Sequence, residues 1–483
     1  MTPSKVFLGT IVIASANVLR LAAQFAVLPI VARLLGPNDY GLAVLAGTFL
    51  AFLLKLGDVG FSAIIVRARV SRELNSTVFW IGIGITSILA AILAIGSFPL
   101  GIMLGRPELS PLLLCLSPLL IIVGAAVVPA ALLQREGKFK TVAAYEIVSA
   151  FAGIAVVLYG SLGGWGAWAL IAQQFGFWVS KLVLLEYFTG FLPASVFRWA
   201  LIKSSLRFNA AVWASNVAGF FASNLDNLLI ATFLSPAVLG YYALAYQIIC
   251  IPNLVLGASH YSLFPAFAEA QRLGLPPERT YISAIRLVLL IAAPAIAGLE
   301  VIADVLVTAL LGETWEPTAT LIRLLAPAGL LMPIFVVNSA LFLGLGRADL
   351  EFKIQVVKSG LVMVAIIGGL ALGANGIAAG VSIGYGVAFA VCMRWAIKTG
   401  GISLSALIDA VKAPLTASAT LVLGVFAVRL TCFQGFSPVL ELGMSVVTGC
   451  GIYFSVFYLG FRSQFLDGLL EMRILLRANP KAT

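Results

Sequence analysis

The chain has few charged residues for its length. Of its 483 residues, only 10% are Asp, Glu, Lys or Arg, whereas 61% are hydrophobic, and the mean hydropathy is +1.07. A soluble globular protein has roughly 25% charged residues, which cover its water-facing surface. This shortage of charge excludes a soluble globular protein, and we predict an integral membrane protein.

The chain also lacks the residues of several common functional sites. Its five cysteines include no CxxC pair and it has a single histidine, so neither a disulfide framework nor a metal site is predicted. It contains no GxxxxGK[ST] segment, so ATP is not expected as the direct energy source. We predict no cofactor and no catalytic residue.

Long apolar runs are abundant. Lipid cannot hydrogen-bond backbone amides, so runs of about 20 apolar residues predict transmembrane helices. We count fourteen, the first two at residues 7–35 and 41–66. The predicted fold is an all-α integral membrane protein with two six-helix lobes and a C-terminal helix pair. The predicted segments are an N-lobe (1–188), a cytoplasmic linker (189–204), a C-lobe (205–398), an extra helix pair (399–460) and a cytoplasmic tail (461–483).

The basic residues predict the orientation in the membrane. If the N-terminus is cytoplasmic, 23 of the 30 Lys and Arg residues fall on that side, and the positive-inside rule then places both termini in the cytoplasm. Lys358, in the predicted helix 355–373, is counted among these cytoplasmic residues. The net charge of +10 is explained by basic loops that face anionic lipid headgroups, so no nucleic-acid partner is predicted.

A repeat joins the two predicted lobes. The segment "ARLLGPNDYGLAVLA" at 32–46 recurs 199 residues later as "ATFLSPAVLGYYALA" at 231–245. Each copy follows the first helix of a six-helix set, so the repeat is parallel. Two similar lobes predict one central site that is exposed to either side in turn, as in many secondary transporters. The alternative is a duplication that only enlarged the bundle.

Four segments resemble a known family. These are "ARLLGPNDYG", "LQREGKFK", "NLDNLLIATFLSPAVLGYYALAYQ" and "LFPAFAEAQ". In this order and spacing, with fourteen helices in two lobes, they are similar to the polysaccharide transporter family of lipid-linked oligosaccharide flippases. This family belongs to the multidrug/oligosaccharidyl-lipid/polysaccharide exporter superfamily. The resemblance implies a bacterial inner-membrane flippase of undecaprenyl-diphosphate-linked repeat units for exopolysaccharide, capsule or O-antigen, with a polysaccharide polymerase or chain-length regulator as a possible partner.

The first predicted helix carries a polar stripe. Thr10, Asn17, Arg20 and Gln24 fall within about 80° of one another at 100° per residue in an otherwise apolar segment. An unpaired Arg at bilayer depth costs roughly 2.5 to 3.5 kcal/mol, so it should face a wet cavity or a partner. We predict that Arg20 binds a substrate phosphate and that the amides bind sugar hydroxyls. The alternative is hydrogen bonding between helices within one lobe.

Further polar residues are candidates in both lobes. Asn216 and Asn227 share a helix face, and Asn216 corresponds to Asn17 in the 199-residue repeat. The remaining candidates are Lys55 and His260 for substrate binding and Asp58 and Asp226 for ion coupling, with H+ or Na+ undecided. Each has a structural alternative, such as a Lys55–Asp58 pair or a hydrogen-bonded helix histidine. By contrast, we expect Glu300, Asp304 and Arg323 to form a structural salt-bridge cluster.

Two other functions remain open at this stage. A drug or small-cation exporter of the same superfamily would share the lobes, but its cavity is expected to carry acidic residues. A membrane glycosyltransferase, polymerase or ligase would need a reactive site exposed to water, usually on a sizeable loop. Every predicted outer connection is shorter than about ten residues, so we predict that the chain is not an enzyme.

Overall fold

The computed structural model describes residues 3–58, 65, 71–199, 217, 219–220, 224–253, 260–433 and 435–460. The described residues are helical apart from short connections, and none of them lies in a β-strand. Ten segments of this part are long and apolar enough to cross a membrane. The predicted all-helical membrane fold is therefore confirmed. The chain divides into two compact units, residues 1–240 and 241–483.

The first unit contains five long helices and the start of a sixth. They are α1 (Pro3–Gly57), α2 (Arg72–Met103), α3 (Leu109–Arg135), α4 (Phe139–Leu162), α5 (Ala167–Thr189) and α6 (Pro236–Ile249). Residues 224–233 are also helical and lead into α6. A buried cluster that includes Leu133, Tyr145 and Leu185 joins α3, α4 and α5, and Ile13 of α1 packs against it. This packing fixes the first part of α1 against the rest of the unit.

The second unit continues from α6. Its helices are α7 (His260–Arg272), α8 (Glu278–Leu310), α9 (Pro317–Gly344), α10 (Ala348–Gly369), α11 (Gly373–Gly400), α12 (Leu404–Cys432) and α13 (Pro438–Gly460). A large buried cluster of this unit draws residues from α7 to α12, including Phe267, Tyr281 and Phe342. The last two helices pack on α8, where the Tyr453 hydroxyl donates to the Leu290 carbonyl at 3.0 Å.

Two helix boundaries predicted near the start of the chain are wrong. The connection predicted at residues 36–40 is a break at the single residue Gly36 (φ 76°, ψ 166°), and Pro37 is already helical. Proline suits the first turn of a helix because the missing N–H would have no partner there. The helix predicted to reach residue 66 ends at Gly57, and Asp58 lies outside it. The apolar run hides this end because Gly57 and Asp58, both poor helix formers, lie between hydrophobic residues.

The two repeat copies meet inside the first unit. A methyl group on Gly41 would overlap the carbonyl of Pro236, and a methyl group on Gly240 would overlap the carbonyl of Pro37. Gly41 and Gly240 occupy equivalent positions of the repeat, as do the two prolines, so the contact is reciprocal. Glycine is required at both positions because the two backbones approach too closely for any side chain.

This contact predicts a stability effect. Gly41→Ala should lower the midpoint of thermal unfolding of the purified protein, because overpacking a close contact costs about 1–3 kcal/mol. Gly47→Ala is the matched control, since Gly47 lies on the same helix with nothing within 4 Å of the added methyl. The control should unfold at or above the wild-type temperature. Equal midpoints for wild type and Gly41→Ala would contradict the close approach.

An aromatic-lined ion pair connects α4 and α5. Lys181 Nζ lies 2.6 Å from Glu146 Oε1, and the two side chains are 13% and 22% exposed. The ammonium also lies 4.9 Å from the ring centroid of Trp178 and 5.5 Å from that of Tyr145. Both charges are thus compensated at a depth where an unpaired charge would be costly. We assign this pair a structural role.

Removal of either partner should destabilise the protein more than removal of both. Glu146→Gln or Lys181→Met alone should each cost on the order of 2 kcal/mol, below the value for a fully buried pair because both groups are partly exposed. Thermal unfolding of both single variants and the double variant measures the coupling. Glu136→Gln is the control, because Glu136 pairs with Lys138 while both side chains are about half exposed. Additive single effects would rule out the coupling.

The predicted cluster around Asp304 is present, with two further members. Asp304 pairs with Arg323 at 3.2 Å and with Arg429 at 3.1 Å, and Arg429 also contacts Glu441 at 2.9 Å. Glu300 takes part through its carbonyl, which accepts from Arg323 Nε at 3.3 Å. The network links α8, α9, α12 and α13, so these charges hold the C-terminal helix pair in place.

Candidate functional site

The polar stripe of the first helix lies before the Gly36 break. Asn17, Arg20 and Gln24 are all half-buried on α1. Nε of Arg20 is buried, and among the described residues it has no hydrogen-bond partner and the guanidinium has no carboxylate partner. A guanidinium without a carboxylate can accept an anionic ligand with two parallel hydrogen bonds. These three residues remain predicted ligands of the substrate.

Lys55 and Asp58 lie at the other end of α1. Arg20 precedes the Gly36 break by 16 residues and Lys55 follows it by 19, so their distances along the helix from the break are comparable. Both Lys55 and Asp58 are exposed. The backbone amide of Asp58 donates to the Leu54 carbonyl at 3.1 Å. Their roles as a second cation and an ion-coupling carboxylate stay predictions.

The segment at residues 224–233 carries two candidate side chains. Asp226 is 6% exposed, and its carboxylate accepts the backbone N–H of Asn227 at 2.8 Å. Oδ1 of Asn227 is buried and lacks a partner among the described groups. An orphaned amide oxygen in a buried position can accept a hydrogen bond from a ligand hydroxyl.

Two sequence candidates cannot be placed. Asn216 lies outside the described residues. His260 begins α7, and its side chain is not among those described. Both residues therefore keep the roles that the sequence predicted for them.

Arg106 has a structural role that the sequence did not predict. It lies between α2 and α3, and its guanidinium donates to the carbonyl of Ala231 at 3.2 Å and to that of Leu234. These carbonyls lie at the end of the helical segment 224–233, where a cation is favourable. Burial lowers the pKa of Arg106, and the Glu108 carboxylate opposes this shift. The signal in the sequence was a single Arg among the nearly uncharged outer connections.

Lys358 is the second cation that sequence reasoning missed. It was counted among the basic residues of the cytoplasmic side, but it lies in the middle of α10 on the wall of a cavity. Its position inside the predicted span was the available signal. Among the described residues, no group of three or more His, Cys, Asp or Glu could hold a metal ion.

The chain is similar to proteins named for polysaccharide biosynthesis and transport. It is 28% identical over 376 residues to the lipopolysaccharide biosynthesis protein WzxC of Escherichia coli (strain K12), covering 76% of each chain. It is 28% identical over 354 residues to the succinoglycan biosynthesis transport protein ExoT of Rhizobium meliloti (strain 1021), covering 73% of this chain and 71% of that protein.

Solved structures show the same fold at low identity. The lipid II flippase MurJ in its inward closed conformation superposes with a TM-score of 0.73 at 14% identity, covering 93% of this chain and all of that chain. An inward-facing multidrug resistance transporter of the MATE family gives a TM-score of 0.60 at 18% identity, covering 80% and 98%. At such identities the likeness shows the fold alone. The family described as "Polysaccharide biosynthesis protein" matches residues 30–320, more than half of the sequence, and the chain therefore belongs to that family.

Proposed function

We propose that this protein is a flippase that moves undecaprenyl-diphosphate-linked oligosaccharide repeat units from the cytoplasmic to the periplasmic leaflet of the bacterial inner membrane. The exported units would serve exopolysaccharide, capsule or O-antigen synthesis. The observation that carries the proposal is the family match over residues 30–320, on a fold similar to that of a lipid II flippase. By its name that protein flips a lipid, so a cargo with a lipid tail is compatible with this fold.

The physical problem of flipping is the polar head of the cargo. A diphosphate and a glycan cannot cross hydrocarbon without polar partners, whereas the polyprenyl tail is itself apolar. The head therefore passes along a polar path through the protein while the tail stays in lipid. Alternating access opens this path to one side of the membrane at a time. Both termini lie in the cytoplasm in this scheme, as the distribution of basic residues predicts.

The first helix supplies the contacts to the diphosphate. The planar guanidinium of Arg20 donates hydrogen bonds to two phosphate oxygens. It is available for this contact because it has no carboxylate partner among the described residues. Lys55 adds a second positive charge. Asn17 and Gln24 bind the neighbouring hydroxyls of the first sugar, since amides both donate and accept.

The other candidates bind glycan or couple transport to an ion. Asn216 and Asn227 offer amides to sugar hydroxyls, and His260 contributes a contact that depends on its protonation. Asp58 and Asp226 are the proposed carboxylates for a coupling proton or sodium ion. The proposal for Asn227 is supported by its buried amide oxygen, which has no hydrogen-bond partner among the described groups.

The drug-exporter alternative is supported only by the fold. The multidrug transporter shares the helical arrangement, with a lower TM-score than MurJ. A drug or small cation would favour acidic residues in its binding site, whereas Arg20 and the amide side chains around it favour an anion and hydroxyl groups. A membrane glycosyltransferase finds no support in the relatives, which are named for biosynthesis or transport without a catalytic reaction. We therefore propose a transporter that is not an enzyme.

The decisive variant is Arg20→Ala. Loss of a charge-assisted bidentate contact should reduce polymer export roughly tenfold to a hundredfold, with the protein still present in the membrane at wild-type amount. Arg20→Lys should retain partial activity, because it keeps the charge without the fork. The measurements are surface polysaccharide and immunoblots of the membrane fraction in the bacterium that encodes the chain.

Arg33→Ala provides the control for this experiment. Arg33 lies on the same helix and is exposed, so its loss should leave export unchanged. Export that survives Arg20→Ala at the wild-type level would remove Arg20 from the mechanism. A variant missing from the membrane would instead give Arg20 a folding role.

A further inference from the structure

The second unit contains a cavity that sequence reasoning did not predict. Its volume is about 420 Å³, which lies within the range of about 300 to 1,000 Å³ typical of small-molecule sites. Its walls come from α6, the turn and helical residues that follow α6, α9, α10 and α11. The polar lining residues are Tyr246, Asn253, Ser339, Gln355, Lys358 and Tyr385.

The polar groups of this lining include donors and acceptors for a ligand. Oδ1 of Asn253 is buried and has no hydrogen-bond partner within the described part of the chain. Buried polar atoms are usually hydrogen-bonded, so an orphaned one indicates a missing partner. Phe335 and Tyr385 pack edge to face with ring centroids 5.7 Å apart, which gives the cavity an aromatic wall. Such a mixture of amide, hydroxyl and aromatic groups suits a sugar ring.

Lys358 supplies the positive charge of the cavity. Its Nζ lies 5.3 Å from the ring centroid of Phe335, and no described carboxylate forms a salt bridge with it. Glu351, two turns earlier on the same helix, accepts a hydrogen bond from Gln355 Nε2 at 2.9 Å. The ammonium is therefore held at the cavity wall without a contacting anion.

The helix of the first unit that corresponds to α10 is α4, and a comparison of the two shows how each compensates its buried charge. Gly137 and Gly346 are equivalent turn residues, with φ of 66° and 68°, just before α4 and α10. The same spacing of 209 residues relates buried Val157 to buried Ile366. It also places Gln355 where α4 has Glu146.

The two helices differ in how their charge is compensated. In the first unit, Glu146 is paired with Lys181. In the second unit, an amide stands at the position of that carboxylate, and Lys358 lies one turn further along α10 on the cavity wall. An ammonium at this depth is expensive without an anion. The ligand is therefore the natural source of that anion.

We propose that the Lys358 cavity binds an acidic sugar residue of the transported glycan, with the sugar carboxylate on the lysine and the sugar hydroxyls on Asn253, Ser339 and Gln355. This inference rests on the proposed function, because it treats the glycan as cargo. A monoanionic carboxylate fits a single point charge, whereas a diphosphate carries more charge than one lysine balances. The cavity thus selects a part of the glycan and leaves the lipid diphosphate to Arg20.

The binding test is chemical footprinting of the full-length protein in lipid nanodiscs. An amine-reactive reagent modifies lysines, and peptide mass spectrometry gives the modification rate at Lys358 and at Lys353, an exposed lysine on a different face of the same helix. The probes are a trisaccharide ending in glucuronic acid, the same trisaccharide ending in glucose, and inorganic pyrophosphate. We expect the acidic trisaccharide to slow modification of Lys358 at least fivefold more than the glucose form does, with Lys353 unaffected. Equal protection by both trisaccharides, protection by pyrophosphate alone, or no protection would each overturn the proposal.

The transport test uses vesicles that contain the purified protein and a lipid-diphosphate-linked glycan in an acidic or a neutral form. Lys358→Gln should lower flipping of the acidic form about tenfold without lowering flipping of the neutral form, while Lys358→Arg should restore most of the flipping of the acidic form. Lys353→Gln should affect neither form. Equal loss of both forms in Lys358→Gln would show a structural role and overturn the proposal. If the wild type flips neither glycan but Lys358 is protected selectively by the acidic probe, the proposed function fails and the site stands.

Discussion

A charge inside a bilayer must either meet an opposite charge or face water, and this constraint organises the whole protein. Lys181 and Glu146 satisfy it by pairing in an aromatic setting. Asp304 and Arg429 satisfy it in a network that ties the last two helices to α8. In both groups the positive and negative side chains neutralise one another, so neither group offers an uncompensated charge to a ligand. Arg20 and Lys358 have no described carboxylate partner, and we therefore assign them to the cargo.

The two copies of the repeat agree where their backbones touch and differ at residues that we propose for cargo binding. In both copies the helix is interrupted just before a proline. Both copies also have a glycine where the two segments contact each other inside the first unit. A side chain at either glycine would separate the two segments, so little variation is tolerated there. Charges obey no such restriction. The position of Arg20 in the second copy is Gly219, and the carboxylate of Glu146 is replaced by the amide of Gln355.

Much of the fold could be predicted from the sequence, because apolar length and the spacing of basic residues both follow from the bilayer. The Asp304 cluster was predicted for the same reason, although Arg429 was missed because it lies 125 residues away and only folding brings it close. Helix ends were less predictable, since the connection expected at residues 36–40 is reduced to a break at the single residue Gly36. Lys358 was misassigned because a count of basic residues near helix ends does not distinguish a lysine in solvent from one inside the bundle. The stripe around Arg20 could be recognised because its partners in sequence share one helix face.

Separate cations for the two parts of the cargo have a physical rationale. The diphosphate is common to every lipid-linked repeat unit, so a site for it gives affinity without choosing among glycans. Discrimination is a difference between two binding free energies, and it requires contacts that one glycan makes and another cannot. A planar guanidinium matches paired phosphate oxygens, whereas an ammonium is a point charge that one carboxylate can neutralise. A neutral sugar in the Lys358 cavity would leave the ammonium desolvated and without an anion. The lysine therefore attracts an acidic sugar and also disfavours a neutral one.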